Sequence, residues 1–200
     1  MSNLVCGIGF NDNSIKTRAN NSRMTYEYIV WTCMLRRCTD VFQSKWSTYK
    51  GVTCSDNFKH YSFFYEWCHR QIGFGNIDED GKSWHLDKDL LVKGNKIYSE
   101  DTCVLLPPKI NTVLVKSNSI RGKYPLGVCR NKQMDSFSAQ CKNGDGKSKY
   151  LGSFKTPEQA FQAYKTFKEA CIKQVAEQYK SQIDPRAYKA LLEYEVNIDD

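Results

Sequence analysis

The chain has 200 residues and a mass of 23.1 kDa, with 26% charged, 40% apolar and 13% aromatic residues, which excludes wholesale disorder, collagen and small disulfide-stapled scaffolds. No run approaches the roughly 18 apolar residues of a membrane span, and MSNLVCGIGFNDNS lacks the basic start and apolar core of a secretory signal, so a cytoplasmic location is expected. The net charge of +7 is uneven: residues 1–115 carry 14 basic and 12 acidic groups, 116–180 carry 13 and 5, and 181–200 carry 2 and 5.

The opening segment, rich in Asn, Ser and Gly, reads as an irregular lead-in. From Tyr26 to Cys38, apolar residues at Tyr28, Trp31, Leu35 and Cys38 have the spacing of a helix with one buried stripe. Ser44 to Cys54 reads as extended or turn structure. A second helix is expected over Ser55–Gln71, with Phe63, Phe64, Trp67 and Cys68 forming its stripe and Gly73 and Gly75 stopping it. Residues 76–83 form a polar loop. Trp84–Asp87 alternates as a short strand, Gly94-Asn95 turns the chain into a second extended piece, and Pro107-Pro108 breaks whatever precedes it. The polar stretch KSNSIRGK (116–123) suits a linker.

The basic segment contains three strand-like pieces, Pro125–Asn131, Phe137–Lys142 and Lys149–Phe154. Thr156-Pro157-Glu158-Gln159 then opens a helix, with Thr156 as cap, Pro157 in the first turn and Gln159 completing a capping box. Ala160, Ala163, Tyr164, Phe167 and Cys171 continue as an apolar stripe. A three-stranded meander covered by one long helix follows from this pattern. DPRAYKALLEYEVNIDD adds a short helix and an acidic, solvated tail. Of the nine cysteines, none forms a CxxC pair. Cys33, Cys38, Cys54, Cys68 and His69 form a metal set only on paper, and reduced thiols are the simpler reading.

Two stretches carry the chemistry. In WHLDKDLLVKGNKIYSEDTCVLLPPKIN (84–111), a carboxylate at a strand end and an amide two dozen positions later offer oxygen donors suited to a hard divalent cation. This stretch resembles the HNH endonucleases of bacteriophages and mobile introns. Phage members show LDKDxLxxGNKxYSxxxC followed by Pro and Asn, and residues 86–111 follow that pattern. Trp31-x-x-Met34-Leu35-x-x-Cys38 and the Phe63/Trp67 region resemble the segment preceding it, so the likeness covers most of residues 7–115. It implies a ββα-metal fold, Mg²⁺ or Mn²⁺ as cofactor, and hydrolysis of a DNA phosphodiester. Asp87 and Asn111 match the metal-binding positions, and Thr102 or Cys103 stands where the family has its structural Asn. Lys88 stands where the general-base His belongs, and a lysine in its ordinary protonated state takes no proton from water. His85, two residues before Asp87 on the same strand face, is the substitute base, with a Lys88 of lowered pKa as the alternative catalytic residue. Asp89 or Glu100 is an additional ligand.

In the basic segment, GVCRNK, SFSAQCK and KYLGSFKTPEQAFQAYKTFKEA resemble the Apetala-two/ethylene-response-factor DNA-binding domain, which phage HNH proteins often carry after the nuclease. The likeness covers about residues 119–180 and implies a sheet that enters the major groove of double-stranded DNA. With Val128, Phe137, Ala139, Cys141 and Leu151 on the helix, alternation turns Cys129, Asn131, Gln140, Lys142, Ser148 and Tyr150 outward. Arg130, Lys132, Lys147 and Lys149 are expected to hold phosphates at the edges.

The expected architecture is thus α+β: an HNH-like domain with flanking helices over 1–115, a linker at 116–122, a sheet-and-helix DNA-binding domain over 123–182, and an acidic tail over 183–200. The expected activity is metal-dependent nicking or cutting of DNA in a bacterial host cytoplasm. The alternative, favoured by Lys88, is an inactive HNH-fold protein that binds DNA or a host protein, as a phage regulator or anti-defence factor.

Overall fold

In the computed structural model, which describes residues 4–114, 123–144 and 146–198, the stripe around Trp31 is realised as helix α1, Tyr26–Arg37. The Thr25 side chain caps it by accepting the Tyr28 N–H, and Trp31, Met34 and Leu35 are fully buried. A second short helix follows, α2, Asp40–Lys45, where turn or extended structure was expected from Ser44 onward. Its cause is local: Thr39 accepts the Phe42 N–H, and Asp40 sits in a first turn that favours negative charge.

The helix expected over Ser55–Gln71 is broken in two, α3 (Asp56–Lys59) and α4 (Tyr61–His69). His60 between them is extended, at φ −92° and ψ 119°. The lead-in segment competes for the backbone there. Phe10 donates its N–H to the Lys59 carbonyl at 2.7 Å and accepts the Tyr61 N–H at 3.0 Å. Of the expected stripe, Phe64, Trp67 and Cys68 are core, whereas Phe63 is 38% exposed. Phe58 meets Phe64 edge-on at 5.1 Å and Trp67 at 4.8 Å, and the Trp31 indole donates to the Phe58 carbonyl at 2.8 Å. Burying each such ring stabilises the fold by about 1.5–3 kcal/mol.

Two small ladders complete this unit. Strand β1 (Thr53–Cys54) pairs parallel with β3 (Ile97–Tyr98), and β2 (His85–Asp87) pairs antiparallel with β4 (Val104–Leu106), placing Asp87 opposite Val104. The chain divides into two compact units, Met1–Leu106 and Pro107–Asp200. The linker expected at 116–122 lies outside the described residues. Among those described, no helix is long and apolar enough to cross a membrane.

The second unit starts with helix α5, Pro108–Leu114, which packs on the long helix α6, Pro157–Tyr179. Its antiparallel sheet has the order β5 (Val128–Asn131), β6 (Ser136–Lys142), β7 (Ser148–Phe154), and it also packs on α6. Thr156 accepts the Gln159 N–H, as the capping pattern required. The core between sheet and helix contains Val128, Ala139, Cys141, Ala160, Phe161 and Tyr164. Gly127, at φ +71°, lies against Tyr164; a Cβ there would stand 2.0 Å from the ring, so only glycine fits.

Simple alternation fails once, in β7. Ala139 pairs with Gly152 but Gln140 pairs with Tyr150, leaving Leu151 as the extra residue of a bulge. Gly152, at φ +133°, makes the irregularity accessible. The bulge lets both Leu151 and Phe154 pack on the core. The tail, too, differs from the solvated end expected. After α7 (Pro185–Leu192), Val196 is buried in the sheet–helix core. The Lys165 ammonium donates to the Val196 carbonyl at 2.9 Å, and Glu169 accepts the Val196 N–H at 2.9 Å.

Candidate functional site

Asp87 closes β2 with its side chain fixed. One carboxylate oxygen, Oδ1, accepts the N–H groups of Asp89 at 3.1 Å and Leu90 at 2.8 Å. Burial, and then the charge of Asp89, push its carboxyl up to about 6, against the pull of those two N–H groups and of Lys88. Lys88 is only 8% exposed. Its ammonium lies 3.3 Å from Asp89 Oδ2 and 5.7 Å from the centre of the Tyr98 ring. His85 shares the face of β2 with Asp87. Desolvation, reinforced by the charge of Arg37, holds its imidazole below the ordinary value.

Asn95 holds this arrangement together. Its amide donates to the Lys88 carbonyl and to the Ile97 carbonyl, each at 2.7 Å, tying the end of β2 to β3. Thr102 also donates to the Ile97 carbonyl, at 3.1 Å. One candidate ligand, Glu100, is committed to other partners, accepting hydrogen bonds from Ser55 and Asn57. Asn111 lies on α5 in the second unit, whereas Asp87 lies on β2 in the first.

The donor chemistry at Asp87 suits a hard cation, because a carboxyl raised by burial and a second carboxylate is relieved by positive charge. Among the described residues, no three His, Cys, Asp or Glu side chains form a group that could hold a metal ion. The paper set of thiols is not assembled. Cys38 and Cys54 share a hydrogen bond, while His69 pairs with Glu27 at 3.1 Å.

Sequence reasoning missed Arg37 and Asn95. Arg37 ends α1, where a cation reads simply as a complement to the helix dipole. Asn95 was read only as a turn former. The spacing GNKxY was the available signal for Asn95, since an Asn before a strand often bonds neighbouring backbone.

In the second unit, the outward side of the sheet presents Cys129, Asn131, Ser138, Gln140, Lys142, Ser148 and Tyr150 by pairing and alternation. Gln140 and Tyr150 are direct cross-strand partners, and Tyr150 is 65% exposed. Lys142 is the one cation of this outward register among the described residues. Asn131 is partly committed: its side-chain oxygen accepts the N–H groups of Gln133 at 3.1 Å and Met134 at 3.4 Å.

The four edge cations behave differently from one another. Arg130 pairs with Phe137 and Lys149 with Cys141, so both belong to the helix-facing register. Arg130 ion-pairs with Asp135 at 2.9 Å, and the Lys149 ammonium sits 4.9 Å above the Phe167 ring. Lys132 and Lys147 are exposed in or beside the two hairpin turns. The sheet therefore offers a neutral, hydroxyl- and amide-rich centre with cations at its rim.

No protein-family model, no curated protein and no solved structure matches the chain.

Proposed function

We propose that the protein is a phage-type endonuclease of the HNH class, hydrolysing a phosphodiester of double-stranded DNA with one Mg²⁺ or Mn²⁺, and that its second unit binds the duplex. The observation carrying this reading is the Asp87 carboxylate, pinned at a strand end, raised by burial and neighbouring charge, and sharing its face with His85. Asp87 would hold the cation, and the family likeness assigns the second ligand to Asn111. The ion, when bound, supplies charge stabilisation for the phosphodiester. His85 would accept the proton of the attacking water at an imidazole nitrogen, a role suited to an imidazole that desolvation favours in its neutral form. Lys88, ion-paired to Asp89, is assigned to fixing the carboxylates rather than to proton transfer. Arg130, Lys132, Lys147 and Lys149 would hold phosphates beside the sheet, while Gln140, Lys142, Tyr150 and Asn131 would face the groove.

A second reading rests on the same lysine. With Lys88 in place of the family's base, the fold could serve a catalytically inactive protein that binds DNA or a host protein in the bacterial cytoplasm. One experiment separates the two: Mg²⁺- and Mn²⁺-dependent cleavage of plasmid and phage DNA by wild type, Asp87→Ala and Asn111→Ala. The nuclease reading expects cleavage by wild type and its loss in both variants. Equal cleavage by all three, or none with either metal, removes it.

A further inference from the structure

We propose that Arg37 is an anion-binding residue of the first unit, a guanidinium that receives a phosphate oxygen of the nucleic acid beside His85 and Asp87. This rests on the nuclease reading and adds a residue that the likeness did not supply.

The argument begins with charge pairing. Two cations approach Tyr98. Lys88 has its counter-ion, Asp89, at 3.3 Å. Arg37 has none: among the described residues no carboxylate lies within ion-pair distance of it. Its recorded partners are the Tyr98 hydroxyl, to which one guanidinium nitrogen donates at 3.2 Å, and the Tyr49 ring at 5.6 Å. The two phenols offset its desolvation, so the guanidinium stays charged with no carboxylate to neutralise it.

Its position is nonetheless fixed. Arg37 ends α1, Tyr49 ends the 3₁₀ turn Ser47–Tyr49, and Tyr98 is held by the parallel pairing of β3 with β1, where it faces Cys54. Two phenols orient the guanidinium plane while using few of its five donors. A planar fork with spare donors matches two oxygens of a phosphate in a way that an ammonium does not. Tyr98 meets both cations, so the Arg37 guanidinium shares a ring with Lys88, the chain neighbour of Asp87. Phosphate is therefore the ligand class, and the likeness selects a nucleic-acid phosphodiester as its source.

The rival role is structural, with Arg37 merely pinning two tyrosines. The test titrates the ¹⁵N-labelled full chain with inorganic phosphate and with a short DNA duplex, reading shifts at Arg37, Tyr49, Tyr98 and His85. Wild type, Arg37→Lys, Arg37→Met and Tyr98→Phe are compared, with thermal melting of each. Inorganic phosphate and duplex should both shift these signals in wild type. Arg37→Lys should melt near wild type yet lose at least about tenfold in affinity. In the cleavage assay Arg37→Lys should lose about 100-fold in kcat/KM, while Tyr98→Phe, which keeps the guanidinium, should lose less. Binding and cleavage by Arg37→Lys equal to wild type would overturn the proposal, as would the absence of any wild-type shift at these residues. If wild type cleaves no DNA, the nuclease reading fails by itself. The phosphate titration then decides: binding lost in Arg37→Lys and Arg37→Met upholds the anion site, and binding retained in Arg37→Lys rejects it.

Discussion

In the first unit three charged groups are drawn out of water, although His85 beside them on β2 is exposed. Asp87 is largely enclosed, Lys88 is 8% exposed, and Arg37 is held between two tyrosines. In the second unit Gln140, Lys142, Lys147 and Tyr150 all stand in solvent on a thin sheet. The difference matters because charge acts more strongly where water is excluded. Three enclosed charges in a nearly neutral unit can do local chemistry, whereas a larger number of exposed lysines produces a diffuse, salt-screened field. The composition pointed to the basic segment, yet the more strongly perturbed groups lie in the other one.

The widest gap between the two units should open with Asp87→Ala. Cleavage should fall at least about 100-fold, while duplex affinity measured by fluorescence anisotropy stays within about twofold. A parallel loss of binding would mean that the two units do not divide the work. Asp87 also makes a pH prediction. Its folded-state carboxyl titrates at about 6, above the ordinary value, so its ionisation costs stability. That cost is absent below about pH 4, grows between pH 4 and 6 and levels off above, reaching roughly 2–3 kcal/mol. Without divalent metal, Asp87→Asn should flatten the decline in melting temperature between about pH 4 and 6.

The converse break is Gly127→Ala. Its methyl would meet the Tyr164 ring in a left-handed backbone, and about 2 kcal/mol or more of stability should be lost from the second unit. Hydrogen exchange should locate the loosening in β5 to β7, with α1 and α4 still protected. Finer resolution comes from the sheet face. Gln140→Ala should cost about 1–3 kcal/mol of duplex affinity and relax sequence preference, and Lys142→Ala should lower the salt slope by about one. Lys149→Ala should change that slope less, since its ammonium already rests on Phe167.

The smallest effect concerns the C-terminal segment. Burial would raise the Glu169 carboxyl, but the hydrogen bonds from Lys165 and Val196 hold it below its ordinary value. Its stabilisation is therefore present above the ordinary carboxylate range and lost as pH falls through the lowered one. Glu169→Gln should lower stability by about 0.5–1 kcal/mol at pH 7, with little difference from wild type near pH 3.

The sheet and long helix were legible because both periodicities and the Thr156 cap agree, so local and tertiary preferences coincide. The short strand at Trp84–Asp87 was legible for the same reason. The break at His60 was not, because it depends on Phe10, 50 positions earlier, taking the backbone bonds. Arg37 was not legible as part of a site because its partner Tyr98 is 61 positions away. The burial of Val196 was hidden by its acidic neighbours Glu193 and Glu195, which mark a solvated end by composition. Pairing at long range is what a pass along the chain cannot see.

The bulge in β7 acts as a parity switch for the whole sheet. Leu151 adds one step to a count of two, so every residue after it presents the opposite side from the one a regular strand would present. Straightening the strand at its present length would leave composition and charge untouched, yet it would send Phe154 into solvent and turn Ser153 to the helix side. One glycine thus decides which side of the last strand is dry.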